Sequence, residues 1–201
     1  MRIVAGRHRG RAITAPADDS VRPTSDRVRE SLFNILAHGR LAAADGRPPL
    51  EEARVLDAFS GSGALGLEAL SRGAAHVVFL DRDLSALECA RRNVTALGET
   101  ARATLVQGDA TRPPPPENVR GHPAPRSLAF LDPPYRSGLA AAALAALAAA
   151  GWLAEGALLV VELDQAESLA IPAGFMLADE RRYGRTKIVF LRWTATIAAS
   201  L

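Results

Sequence analysis

The stretch Arg54-Val55-Leu56-Asp57-Ala58-Phe59, running into Ser60-Gly61-Ser62-Gly63-Ala64-Leu65-Gly66, leaves this chain few folds to choose from. The short, mostly apolar run reads as a buried strand. Gly61 and Gly63 permit positive φ and let a ligand lie against bare backbone. A helix over 64–71 follows and stops at Arg72-Gly73, and Gly66 inside it allows close packing on the sheet. A strand, a glycine turn and a helix in this order make the first half of a Rossmann-like unit. The next strand, 76–80, ends in Asp81-Arg82-Asp83, which places an acid where it accepts both hydroxyls of a ribose. Asp81 falls 20 positions after Gly61, a separation that suits adenosine. Nothing in this pattern distinguishes a dinucleotide from another adenosyl ligand.

The alternation of strand and helix continues. A helix over 84–97 precedes a strand, 104–107, that ends at Gly108-Asp109-Ala110, and Asp109 is placed to accept from an exocyclic adenine amine. Residues 112–126 form a proline-rich loop without periodicity, to which no chemistry is assigned. Strand 127–131 then meets Asp132-Pro133-Pro134-Tyr135. Two prolines donate no backbone hydrogen bonds and cannot continue a ladder, so the strand stops there. The chain leaves as a stiff corner with Asp132 at the strand's carboxyl end and Tyr135 just beyond, where open α/β sheets place their ligands. A helix from about 139 and an apolar strand over 157–162, of the kind found centrally in parallel sheets, come next. Segments 175–182 and 187–193 flank Tyr183-Gly184-Arg185-Thr186 and read as a terminal antiparallel hairpin. Each acid alone is more often a turn or cap residue than a ligand. Three at successive strand tips of one α/β sheet are harder to dismiss.

Ahead of this unit, residues 1–14 hold two apolar pieces around an Arg/Gly/His segment, which predicts a hairpin of basic edge strands. Arg2, Arg7, Arg9 and Arg11, with no acid among them, form a positive patch suited to phosphates. Arg22-Pro23-Thr24-Ser25-Asp26 introduces a helix capped by Thr24 or Ser25, with Val28, Leu32, Phe33, Ile35 and Leu36 as its apolar stripe. Arg27 and Arg29 fall on other faces. Residues 39–49 read as a linker, which divides the chain into an N-terminal extension, 1–47, and a main domain, 48–201.

Composition narrows the classes further. At 201 residues and 48% hydrophobic, the chain builds one ordinary domain with a substantial core and a small appendage. The single cysteine, Cys89, excludes an internal disulfide and a Cys-cluster metal site, and its helical surroundings predict a packed thiol. Arginines at 2, 7, 9 and 11 leave no apolar core for a signal peptide. Residues 138–161 carry Glu155 as their only charge, but Gly151, Glu155 and Gly156 divide them into a helix and a strand of globular length. The protein is therefore expected to be cytoplasmic, without membrane contact, and nothing argues against a monomer.

A glycine loop after the first strand, acids after the second and third, and Asp-Pro-Pro-Tyr after the fourth resemble the class I S-adenosylmethionine-dependent methyltransferases that act on amino nitrogens of bases. The resemblance narrows along almost the whole chain. MRIVAGRHRGR, RPTSDRVRESLFNIL, VLDAFSGSGALGLEALSRGA, the LDPPY corner and the closing YGRTKIVFL are similar to the bacterial 16S ribosomal RNA guanine-N2 methyltransferase family. Two departures stand out: Asp81 where that family commonly has Glu, and a long proline-rich loop. The resemblance implies a mostly parallel seven-stranded sheet with helices on both faces and a C-terminal antiparallel hairpin. It implies S-adenosylmethionine as cofactor, held by Asp57, Phe59, Gly61, Gly63, Gly66, Asp81 and Asp109. The sulfonium is already electrophilic, so no metal is required. Asp132 and the Pro133 carbonyl would accept from the guanine amine, with Pro134 stiffening the corner and Tyr135 stacking on the base. Arg2, Arg7, Arg9, Arg11, Arg22, Arg27, Arg29 and Lys187 would meet phosphates of ribosomal RNA or of a small-subunit assembly intermediate. Alternatives are an adenine-N6 methyltransferase and, more distantly, an NAD-dependent oxidoreductase or a non-catalytic RNA-binding module. A hydride-transfer site would need an acid/base histidine, and His8, His38, His76 and His122 all lie away from the strand tips.

Overall fold

A computed structural model describes residues 1–15, 26–37, 41–42, 46–119 and 125–195. The expected cap at Thr24 or Ser25, the phosphate candidate Arg22, His38 and His122 lie outside these residues, as do parts of the expected linker and of the proline-rich loop. The strands are β1 (Arg54–Ala58), β2 (His76–Asp81), β3 (Ala103–Gln107), β4 (Arg126–Leu131), β5 (Leu153–Asp164), β6 (Phe175–Tyr183) and β7 (Thr186–Trp193). The helices are α1 (Asp26–Ala37), α2 (Ala64–Ser71), α3 (Leu84–Ala96) and α4 (Leu139–Ala149).

The seven strands form one sheet in the order β3-β2-β1-β4-β5-β7-β6. All neighbours from β3 to β5 run parallel, and β7 pairs antiparallel with both β5 and β6. This is the mostly parallel sheet with a C-terminal antiparallel hairpin that the sequence predicts. Chain order reverses between β1 and β4, so the carboxyl ends of these two strands flank the topological switch point.

Side-chain alternation along the strands feeds two cores. Val55, Val77, Phe79, Leu128, Phe130, Val160 and Phe190 pack with α1, α2 and α3 on one face. Leu56, Val78, Leu80, Ala129, Leu131, Val161 and Leu191 pack with α4 and Trp152 on the other. Two-sided burial explains why the central strands are nearly continuous apolar runs. The stretch that resembled a membrane segment divides into α4 and β5, and no described helix is long and apolar enough to cross a membrane. Cys89 is buried, with its thiol 3.3 Å from the Thr14 carbonyl oxygen, as a packed thiol should be.

The N-terminal segment folds back on itself through an isolated Arg2–Ala12 bridge and tight turns, without the two edge strands expected there. It is bound to α2. Both oxygens of the fully buried Glu68 accept from Val4 and Ala5 N–H, at 2.8 and 3.0 Å. Gly6 has φ near +78°, and a Cβ there would sit 2.0 Å from the Ser71 carbonyl oxygen, so only glycine lets the turn approach. Ile3, Ile13, Leu32 and Phe33 share the main core with the sheet.

Candidate active site

The glycine turn after β1 is shaped by two carboxylates. Asp57, buried at the end of β1, accepts a 2.9 Å hydrogen bond from the Gly66 N–H. Burial pushes its pKa up to about 8, with the neighbouring Asp81 charge adding to the rise and the Gly66 bond opposing it. Asp81 accepts from the Gly61 N–H at 2.9 Å and from the Asp83 N–H at 3.0 Å. Each of its oxygens retains acceptor capacity for a further donor. Asp83 caps α3 by accepting from Ser85 N–H.

The turn is open on one side and closed on the other. A Cβ on Gly61 would meet nothing within 4 Å, whereas on Gly66 it would sit 2.4 Å from the Phe79 ring. Gly61 therefore presents bare backbone to a ligand and Gly66 lets α2 press onto β2. Gly63, at φ near +79°, caps α2 against the same ring.

Beside this turn lies a crevice lined by Phe59, Leu80, Asp81, Arg82, Gly108, Asp109, Ala110 and Leu139. Its lining combines apolar side chains with two acids, Asp81 and Asp109, the kinds of group that a purine nucleoside calls for. Phe59 reaches the crevice with φ near +59°, a left-handed conformation that is costly for an aromatic residue. Asp109 Oδ1 is occupied by the Thr111 N–H and hydroxyl, at 2.8 and 2.7 Å, and these bonds hold its carboxyl below the usual range. Oδ2 has Arg112 at 3.8 Å and keeps acceptor capacity for a further donor.

On the other side of β1, Leu131 is level with Ala58 and the Asp132 N–H lies 3.5 Å from the Ala58 carbonyl oxygen. Asp132 is half-buried, Pro133 buried and Pro134 exposed. Tyr135 is 39% exposed at the corner, and its hydroxyl is anchored by Glu162 and Thr186. Burial, with the nearby Glu162 and Asp132 charges, raises the phenol pKa well above its ordinary value, against the lowering effect of the Thr186 bond. Tyr135 stays a hydrogen-bond donor, with its ring presented at the strand tips.

The basic candidates do not gather in one place. Arg2 and Arg27 are exposed near the first turn of α1. The 7–11 turn docks on the C-terminal ends of α2 and α3, where Arg7 N–H donates to the Ser71 carbonyl and the Arg11 guanidinium to the Ala96 carbonyl. These helix ends point away from the strand tips that carry Asp132. Arg9 is exposed within the same turn. Two expectations are corrected. Arg29 is fully buried, bonded to Asp26 and the Arg2 carbonyl and 3.8 Å from Glu68, so it is a structural cation. Lys187 is 7% exposed and its ammonium donates to the Glu167 carbonyl, which removes it from the phosphate-binding surface.

Sequence reasoning missed Glu162, which reads as the polar end of an apolar strand. It also missed Arg136 and Arg185, exposed on either side of Asp164 at 3.6 and 3.9 Å. Arg136 directly follows Tyr135 in the sequence, whereas the place of Arg185 beside the DPPY corner appears only once β5 and β7 are paired. Among the described residues no group of three or more His, Cys, Asp or Glu is arranged to hold a metal ion.

Residues 1–192 match the family model described as Conserved hypothetical protein 95. Ribosomal RNA small subunit methyltransferase D of Escherichia coli (strain K12) is 37% identical over 186 residues, spanning 92% of this chain and 86% of that protein. The chain belongs to this bacterial small-subunit rRNA methyltransferase family. The family member of that name from Haemophilus influenzae is 34% identical over 194 residues, or 92% of this chain and 89% of that one. Among solved structures, yhhF from Escherichia coli superposes with a TM-score of 0.78 at 34% identity, covering 98% of this chain and 99% of that chain. An RNA methyltransferase from Salinibacter ruber in complex with S-adenosyl-L-homocysteine shares the fold at 14% identity, with a TM-score of 0.62 over 90% and 99% of the two chains. The fold is thus the Rossmann-like class I methyltransferase fold.

Proposed function

We propose that this chain transfers a methyl group from S-adenosylmethionine to the exocyclic N2 amine of a guanine in small-subunit ribosomal RNA. The observation that carries the reading is the placement of two half-sites on either side of β1. The crevice between Asp81 and Asp109 lies on one side, and the Asp132–Tyr135 corner, anchored on Glu162, lies on the other.

The residues present fit the cofactor. Gly61 leaves open backbone for its methionine end, Asp81 has acceptor capacity for a ribose diol, and Asp109 Oδ2 would accept from an adenine amine. Asp57 contributes by holding the turn through Gly66. When bound, S-adenosylmethionine supplies an electrophilic methyl group, so the harder task is preparing the acceptor. A guanine N2 lone pair is delocalised into its ring. Asp132 and the Pro133 carbonyl accept from the amine hydrogens, which favours a pyramidal nitrogen and stabilises positive charge as it develops. Tyr135 stacks on the base and fixes its plane, and the base must be splayed from its helix to enter. Arg2 and Arg27 at the α1 end, with Arg7, Arg9 and Arg11 at the other, supply phosphate contacts across an extended RNA footprint. In this reading residues 1–47 form the RNA-binding extension and 48–201 the methyltransferase domain.

The names of the family relatives support ribosomal RNA as substrate; the choice of guanine N2 over adenine N6 rests on the resemblance of the N-terminal segments, since the acceptor arrangement suits either amine. The test is methyl transfer from labelled S-adenosylmethionine to unmethylated small-subunit rRNA, naked and within partly assembled particles, followed by nucleoside mass spectrometry. N2-methylguanosine is the expected product. N6-methyladenosine would replace the base assignment, and no transfer to either substrate would reject the proposal.

A further inference from the structure

A second cleft lies beyond Tyr135, on the side away from the crevice between Asp81 and Asp109. It has a volume of about 360 Å³ and is lined by Arg27 and Val28 from the first turn of α1 and by Tyr183 and Gly184 from the β6–β7 turn. Small-ligand sites occupy roughly 300–1,000 Å³. Sheet register puts the cleft at the functional end of the molecule. Thr186 pairs with Asp164 at the carboxyl end of β5, and the same Thr186 bonds the Tyr135 hydroxyl at 3.1 Å. The turn that walls the cleft therefore also anchors the corner at which the target base would stack.

The chemistry of this cleft differs from that of the strand tips. Asp132 and Glu162 stand at the tips of β4 and β5, while Asp164 is flanked by Arg136 and Arg185. Arg27 is exposed, and Arg185, one residue beyond Gly184, is 79% exposed on its side chain and held only at 3.9 Å by Asp164. Tyr183 is half-buried, with its ring packed partly against the main core, an aromatic surface beside exposed cations. Gly184, at φ near +59° with open space where a Cβ would stand, keeps the rim low.

We propose that this cleft is a subsite for the nucleotide adjoining the methylated one, with Tyr183 stacking on its base and Arg27 and Arg185 on its phosphates. The assignment rests on the RNA methyltransferase reading above and adds to it the path of the strand. A target base turned in at Tyr135 leaves its neighbour directed over the 183–185 turn, away from the adenosyl side. Stacking contacts of this kind discriminate little between bases, so the subsite gives affinity and direction more than sequence.

Steady-state transfer to an unmethylated small-subunit rRNA transcript tests this with Arg27→Ala, Tyr183→Leu and Tyr183→Phe. Tyr183→Leu should raise KM for the transcript by roughly five- to a hundred-fold, with kcat and S-adenosylmethionine affinity within about twofold of wild type. Tyr183→Phe should match wild type. Arg27→Ala should lower the slope of log binding constant against log salt by about one. Arg27 is exposed, so its variant reads the subsite even if Tyr183→Leu unfolds. An unchanged salt slope with Arg27→Ala, or equal losses in Tyr183→Phe and Tyr183→Leu, would overturn the assignment. If wild type methylates the transcript while these variants behave like it, the subsite alone falls. If wild type neither binds nor methylates the transcript, the underlying reading falls with it.

Discussion

The Tyr135 hydroxyl donates a 2.9 Å hydrogen bond to Oε1 of Glu162, a carboxylate buried at the end of the neighbouring strand. Leu131 is level with Val161, so Asp132 and Glu162 follow side by side on β4 and β5. In the proposed chemistry the first acid would accept from the target amine, while the second orients the Tyr135 ring. Glu162→Ala should free that ring and lower kcat by about 10- to 100-fold, the scale of a misplacement near 1 Å. Cofactor affinity should be unchanged. Glu162→Gln keeps an acceptor for the hydroxyl and should recover most of the activity. A Glu162→Ala enzyme with normal kcat would show that Tyr135 needs no such support.

If Asp132 accepts from the substrate amine as proposed, Asp132→Ala should reduce transfer by at least about 100-fold, as loss of one preorganised partner does elsewhere. S-Adenosylmethionine binding, measured by calorimetry, should stay close to wild type because the crevice lies across β1. Full activity in the variant would refute its assigned part.

Asp81 both ties down Gly61 and faces the crevice. Hydrogen bonds to a charged group contribute about 1.5–3 kcal/mol, so Asp81→Ala should weaken cofactor binding by roughly ten- to a hundred-fold. Unchanged affinity in a titration would place the ribose elsewhere.

Gly66→Ala would set a methyl group 2.4 Å from Phe79 Cε1 and 2.8 Å from Val77 Cγ1. Neither ring nor branched side chain has room to yield in the core. The expected cost is about 1–3 kcal/mol in urea unfolding. Gly61→Ala has open space around its Cβ but carries a φ near +52°, so it tests backbone strain separately from overpacking.

The sheet, its glycine turn and the acids at its strand tips were legible because they are local. A strand, a turn and a helix are written within about 20 consecutive residues, and a pair of prolines ends β4 unambiguously. What was not legible depends on partners distant in sequence. Arg29 is expected off the apolar stripe of α1, but it stands three and four residues before Leu32 and Phe33 and shares their buried face, where Glu68 on α2 lies opposite it. Periodicity cannot see a charge pair that folding brings together, and burying one such partner without the other is strongly unfavourable. Lys187 followed the same course, with its ammonium captured by the Glu167 carbonyl. The separation of Arg7 and Arg11 from the strand tips likewise follows from where α2 and α3 end, which a count of arginines does not reveal.

Asp57 gives the fold a pH dependence of definite sign. Its ordinary pKa is 3.8 and its folded value about 8, so the native state keeps a proton that the unfolded chain releases. This favourable difference is complete below about pH 4 and is lost as pH rises through 8. Within that window Asp57 alone lowers stability with a slope approaching ~1.4 kcal/mol per pH unit. Asp57→Asn buries no ionisable group and keeps an oxygen for the Gly66 N–H. Its melting temperature relative to wild type should therefore climb between pH 5 and 8 and level off above that. A constant difference across this range would mean that Asp57 is ionised in the native protein throughout, held by a stronger partner than the Gly66 amide.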